Sequence, residues 1–331
     1  MKKSYLMILV CLFLFTACSQ SMKDVDVNQD VTQDVYLDIN LNKSQELKDE
    51  LSTEVADPTP EPELTRSIEF LYQYDYWTLY DNSNAVFKTK DEYEKALRSY
   101  IVDIGELLHK ETWFENYDAR YKTLYIKLKI SGKGGKITPP EEFTNDSLIA
   151  YLTVDENLFL NHFNPIIHEL THLISYDPNY SRIGLSFSLN DGLAEYVSKE
   201  IGGDESYCIK NIPIHDYLVQ YLSRYFQLDV KQDEVNSFYN ALATDESVYR
   251  YQAFSVEWMY FFMCNVSFVD YVINEHGIDY FMSLQDYYED ELNIKNQQEQ
   301  INIMKSEWMN FLNTYQYQMT YEEIDSLIQK K

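Results

Sequence analysis

The sequence predicts an α+β fold, with a small strand-containing part followed by a mainly helical one. Three observations point there. Two runs of strand length, one alternating and one apolar, lie at 121–130 and 147–154. Helix-period patterns fill nearly everything after them. Only 9 glycines occur in 331 residues, which suits a chain with few tight backbone turns.

The chain opens on Lys2 and Lys3, an apolar run from Tyr5 to Phe15, and then Thr16-Ala17-Cys18. A basic start, a short apolar stretch and small residues form the order of a secretory signal, and the run is shorter than the roughly 20 residues a membrane span needs. Its end resembles the lipobox of bacterial lipoproteins, with Phe15 where Leu is usual. That resemblance implies lipidation of Cys18 and a mature chain anchored on the extracytoplasmic face of the cell membrane. Residues 19–65 are rich in Asp, Glu, Gln, Asn, Ser and Lys and end in Asp57-Pro-Thr-Pro-Glu-Pro-Glu63. Such a stretch has too little apolar surface to offset the entropy of ordering, so it reads as a disordered acidic tether. Within it, Val35–Leu41 alternates and could pair as a strand.

Removing the leader takes away two lysines and no acids, so the formal charge goes from −27 to −29. That surface repels phosphate backbones and anionic headgroups. Nucleic acid is therefore excluded as a partner, and membrane contact is expected only through the lipid. Of four cysteines, Cys208 and Cys264 fall in the folded part, as one disulfide or as two buried thiols. No CxxC spacing exists, so they are not a metal site.

Residues 66–331 are long enough for one substantial domain, divided at about 160 into an α+β part and a helical part. Asp91–Lys110 carries apolar residues at helical spacing. Tyr121–Ile130 alternates and reads as a strand, Ser131 to Pro140 as a loop, and Ser147–Val154 as a second strand. Helical segments are expected near 161–176, 190–201, 213–226, 233–243, 252–275, 278–287, 296–315 and 320–330.

Inside the first of these lies His168-Glu169-Leu170-Thr171-His172. Residues four apart on an α-helix sit about 40° apart around the axis and about 6 Å apart along it. Two imidazoles at that spacing converge on one point outside the helix, where a zinc ion can sit. Glu169 is turned about 100° from His168. From there its carboxylate can reach a metal-bound water as general base without becoming a ligand. Ile166, Ile167, Leu170, Leu173 and Ile174 supply an apolar back face, and Asp177-Pro178 ends the helix. A third element follows in Asn190-Asp-Gly-Leu-Ala-Glu-Tyr196. Asp191 and Glu195 are four apart, hence on one helical face. Either can serve as third ligand, with Glu195 otherwise bonding a ligating histidine from behind.

These two segments resemble the gluzincin (HExxH) metallopeptidases, aminopeptidase N-like branch. There a second helix bearing Asn-Glu-Gly-x-Ala supplies the third ligand, with 18 residues between it and the second histidine. Here 18 residues separate His172 from Asp191, with Asp where the family has Glu. The resemblance, specific over 164–196, implies a zincin-like fold with the active site between its two parts. It further implies a Zn2+ cofactor, metal ligands His168, His172 and Asp191, catalytic Glu169, and a peptide or protein substrate. It also makes Tyr251, 60 residues past Asp191, a candidate oxyanion stabiliser, with Tyr249 close behind. The Gly-x-Met-Glu-Asn exopeptidase signature does not occur, and no His follows His172 until His215, which excludes the metzincin pattern. His162, His215 and His276 read as surface or core histidines.

The enzyme reading makes Ser147–Val154 an edge strand over the cleft, able to take an extended peptide by strand addition. Two other readings stand beside it: a metallopeptidase-like surface binding lipoprotein without turnover, and a structural envelope protein.

Overall fold

The computed structural model describes residues 66–331 except 80–85, 131–134, 157–158, 160–164, 177, 179–186, 203–210, 223, 225–255, 286–290 and 330–331. The leader, the tether with its Val35–Leu41 run, the 233–243 segment, His162, Cys18, Cys208, Tyr249 and Tyr251 lie outside the described residues.

The chain combines a small mixed sheet with several helices, an α+β fold at the coarse level. Strands β1 (Ser67–Tyr72), β2 (Thr123–Ile130) and β5 (Ser147–Val154) run parallel in that order. In β2 the alternation read from the sequence is real, with Leu124, Ile126 and Leu128 buried. Helix α1 (Lys90–Leu107) connects β1 to β2, so helix and strand interleave here rather than following in blocks. Its N-cap Thr89 accepts from the Glu92 N–H, and Tyr93, Leu97, Ile101 and Ile104 face the core.

The strand expectation fails in two places. Strand β5 is interior: β2 pairs along its whole length, while β3 (Gly135–Ile137) and β4 (Glu141–Thr144) pair antiparallel along its other side. The sequence Ser-Leu-Ile-Ala-Tyr-Leu-Thr-Val is nearly continuous in apolar residues. That is the pattern of a strand buried on both faces, not of an edge. The expected loop at 131–140 contains β3, three residues with no alternation of their own, paired with Leu152–Val154. Thr138-Pro139-Pro140 divides β3 from β4, since Pro has no N–H to give a ladder.

After β5 every described regular element is helical. Helix α2 (Ile166–Ser175) lies against β3, α1 and α3 (Phe187–Ile201). Ile166, Ile167, Leu170, Leu173 and Ile174 are all fully enclosed. Burial of such side chains stabilises by roughly 1.5–3 kcal/mol each, enough to fix the helix while polar groups elsewhere on it are desolvated. It ends where Tyr176 turns to extended backbone. A helical turn at Ile214–Asp216 runs into a π-helical turn at Tyr217–Leu222. Then come α4 (Val256–His276), α5 (Ile278–Gln285), α6 (Glu291–Thr314) and α7 (Tyr321–Ile328). Helix α7 begins with a capping box formed by Thr320 and Glu323. No described helix is long and apolar enough to cross a membrane.

Helix α4 packs closely on α3, and Gly192 permits it. A Cβ on Gly192 would lie 3.0 Å from Val269 Cγ2 and 3.1 Å from the Asn265 carbonyl oxygen. Backbone cannot move aside as a side chain can, so Gly192→Ala pushes the two helices apart. The expected loss is about 1–3 kcal/mol, measured by chemical denaturation.

Candidate metal centre

Helix α2 brings its two histidines onto one side, as the spacing predicts. His168 Nε2 and His172 Nε2 are 3.2 Å apart. Helix α3 supplies the third group: Asp191 Oδ1 lies 3.2 Å from His172 Nε2 and 3.8 Å from His168 Nε2. Among the described residues these three side chains are the group able to hold a metal ion.

The donor set fits a tetrahedral divalent ion. Bonds of 2.0–2.2 Å at tetrahedral angles separate ligand atoms by about 3.3–3.6 Å, and the three separations here bracket that span. Asp191 Oδ1 is buried and makes no hydrogen bond. A buried carboxylate oxygen left this way costs about 1–3 kcal/mol or more unless a cation meets it. Burial pushes the Asp191 carboxyl up, but the facing His168 and His172 side chains outweigh it and hold the group below the usual carboxylate range. The donor atoms are thus poised as an anion between two imidazoles.

Glu195 takes a different place. Its Oε2 lies 3.6 Å from His168 Nδ1, on the far side of the ring from the converging Nε2. A carboxylate there favours the Nδ1–H tautomer and leaves the Nε2 lone pair to the centre. Asp191 and Glu195 are on one helical face, as expected, but meet opposite edges of one imidazole.

Glu169 is 2% exposed and sits between α2 and the sheet. Burial raises its pKa, ahead of the opposing pull of His168 and His172, and its carboxylate accepts a hydrogen bond from the Ile137 N–H of β3. Thr138 N donates to Tyr151 O across the sheet. Ile137, one residue earlier, therefore directs its N–H away from β5 and towards the centre. This approach depends on Gly135. A Cβ there would lie 2.6 Å from Glu169 Oε1 and 2.6 Å from Pro165 Cγ. Sequence reasoning passed over Gly135 and Ile137. The Gly132–Lys136 stretch showed only glycine in a loop, and nothing local ties it to a helix thirty residues on.

The remaining sequence-named residues separate from the centre. His215 is buried between Ser267 and Asp270, and His276 pairs with Glu307 at the surface. Cys264 is buried in α4. His172 is the most accessible of the three donors, its side chain 18% exposed against 7% for His168 and 4% for Asp191, so approach to the centre is from its side.

No protein-family model, curated protein or solved structure matches this chain. What the centre can do follows from its own atoms.

Proposed function

We propose that the chain is a metal-dependent hydrolase. More particularly, it is a zinc peptidase of the gluzincin kind, acting outside the cell and held to the membrane through lipid on Cys18. The observation that carries this is the meeting of three donor atoms at 3.2–3.8 Å, two of them on buried residues and one an unbonded carboxylate oxygen, beside a buried glutamate on the same helical turn.

His168, His172 and Asp191 would hold the ion, and Glu195 would orient His168 from behind. Zinc, when bound, lowers the pKa of a water ligand towards 7 and polarises a carbonyl. Glu169 takes the proton from the attacking water and delivers it to the leaving amine. In the metal-free chain burial raises the pKa of this carboxyl. The outward backbone groups of β3 offer an extended peptide a strand to pair with, the part first assigned to β5. A substrate binding there competes with Glu169 for the Ile137 N–H, which frees the carboxylate as the site fills.

Metal analysis of the purified chain, together with casein or peptide hydrolysis, tests the reading. One zinc per chain with chelator-sensitive cleavage supports it. Zinc without cleavage favours the surface binding lipoprotein, for which Asp191 in place of the family's Glu is the one hint. Absence of stoichiometric metal sinks both. Gly135→Ala gives a finer check: the methyl group meets a rigid proline ring, so β3 must retreat from Glu169. Hydrolysis is expected to fall at least tenfold while zinc content stays unchanged.

A further inference from the structure

A cleft of about 470 Å³ opens beyond the C-terminal half of α3, and none of His168, His172 or Asp191 lines it. Its walls include Tyr196 and Glu200 of α3, Asp270 of α4, His215, Phe311 and Tyr315.

The polar groups in it are already ordered. His215 Nε2 lies 3.1 Å from Asp270 Oδ2, and its Nδ1 lies 2.8 Å from Ser267 Oγ. With Nε2–H directed at the carboxylate, Nδ1 accepts from the serine hydroxyl, which in turn accepts from Trp308 Nε1 at 3.1 Å. Both ring nitrogens of His215 are therefore committed, and Ser267 is fully buried. This excludes a metal on His215 and a nucleophile at Ser267, although serine, histidine and aspartate stand in line.

Asp270 is what remains. It is 7% exposed, and its described bonds, from His215 and from Asn274 Nδ2 at 3.1 Å, both fall on Oδ2. Among the described residues no bond reaches Oδ1, on a side chain that lines the cleft. Glu200 adds a second carboxylate at the rim, where Lys199 Nζ lies 3.0 Å from it. Burial together with nearby acids holds the Tyr196 and Tyr315 hydroxyls at about 12, so neither adds a competing charge. Phe311 and Tyr315 both pack edge-on against His215, with ring centroids 4.9 and 5.2 Å from it, and give the cleft an aromatic wall. A buried carboxylate with an open oxygen beside aromatic faces selects positive charge on an apolar body. Lys199 also lines the cleft but is engaged by Glu200, so the Asp270 carboxylate is the charge left to face a ligand, and it favours a cation over an anion or a neutral donor.

We infer that this cleft binds an organic cation, an amine or guanidinium on an apolar stem, at a site separate from the metal centre. Titration of the full chain with benzylamine, benzyl alcohol and benzoate tests it, followed calorimetrically. Benzylamine is expected to bind at least tenfold tighter than benzyl alcohol, benzoate not to bind, and chelator to leave the amine affinity unchanged. Asp270→Asn is expected to remove the amine's advantage while alcohol binding stays. Should that variant not fold, Glu200→Gln at the solvent-exposed rim decides, with a two- to threefold loss for the amine alone. Equal affinity for amine and alcohol, an unaltered preference in the folded variant, or loss of amine binding on chelation overturns the inference.

Discussion

Glu169→Gln is expected to keep one zinc per chain and to lose peptide hydrolysis by about 10²–10⁴-fold, the range for removing a positioned general base. Glutamine fills the same volume and still offers an oxygen to the Ile137 N–H, so the local structure is preserved while the proton acceptor is gone. The same variant should raise the stability of the metal-free chain. Burial lifts the Glu169 pKa in the folded state, so the folded chain binds this proton more tightly than the unfolded chain does. Stability from that proton is present at low pH. It is lost as pH rises from the ordinary carboxylate value through the raised folded one. At pH 7 the carboxylate is a net cost that glutamine does not carry. The gain would appear as a higher Tm, at roughly 2–4 °C for each kcal/mol in a chain of this size. Measuring zinc, turnover and metal-free Tm on one preparation gives three readouts. Retained hydrolysis would remove Glu169 from the mechanism, whatever the other two show.

The second large effect separates Asp191 from Glu195. Asp191→Ala is expected to abolish stoichiometric zinc, because it deletes one of three donors and leaves two imidazoles facing a void. Glu195→Gln should lower zinc affinity by about 10–100-fold, the usual cost of losing a partner behind a ligating histidine, with full occupancy recovered at high metal concentration. Competition with a chromophoric chelator measures both. The reverse ranking would exchange the roles given to the two acids. In the metal-free chain Asp191 also contributes to stability. Burial opposes its ionisation, but His168 and His172 more than compensate, and its pKa is lowered. That contribution is present above the unfolded carboxylate value and fades as pH falls through the lower folded one.

Much of the centre was legible in the sequence, because its first half is local. His168, Glu169 and His172 occupy little more than one turn of one helix, and helical periodicity alone turns the histidines together and the glutamate aside. The apolar back face, Ile166 to Ile174, was equally readable and is buried as expected. Strands β2 and β5 announced themselves by alternation or apolar length. Strand β1 went unread, with only Phe70 buried in it. Strand β4 also went unread, being exposed throughout. Neither carries the hydrophobic contrast on which a strand reading depends.

By itself, then, the sequence determined which residues share a helical turn or face: the imidazole pair, the acid between them, and two more acids on a second helix. Tertiary structure decided which of those acids meets the inner edges of both histidines and which the back of His168. That choice turns on how closely α3 lies to its neighbours, with Gly192 seated against Asn265 and Val269 on the side of α4. It decided too that a three-residue strand, rather than β5, borders the glutamate. Periodicity is a property of neighbours along the chain. The approach of one element to another depends on side-chain volumes contributed from distant positions, and no local pattern records that.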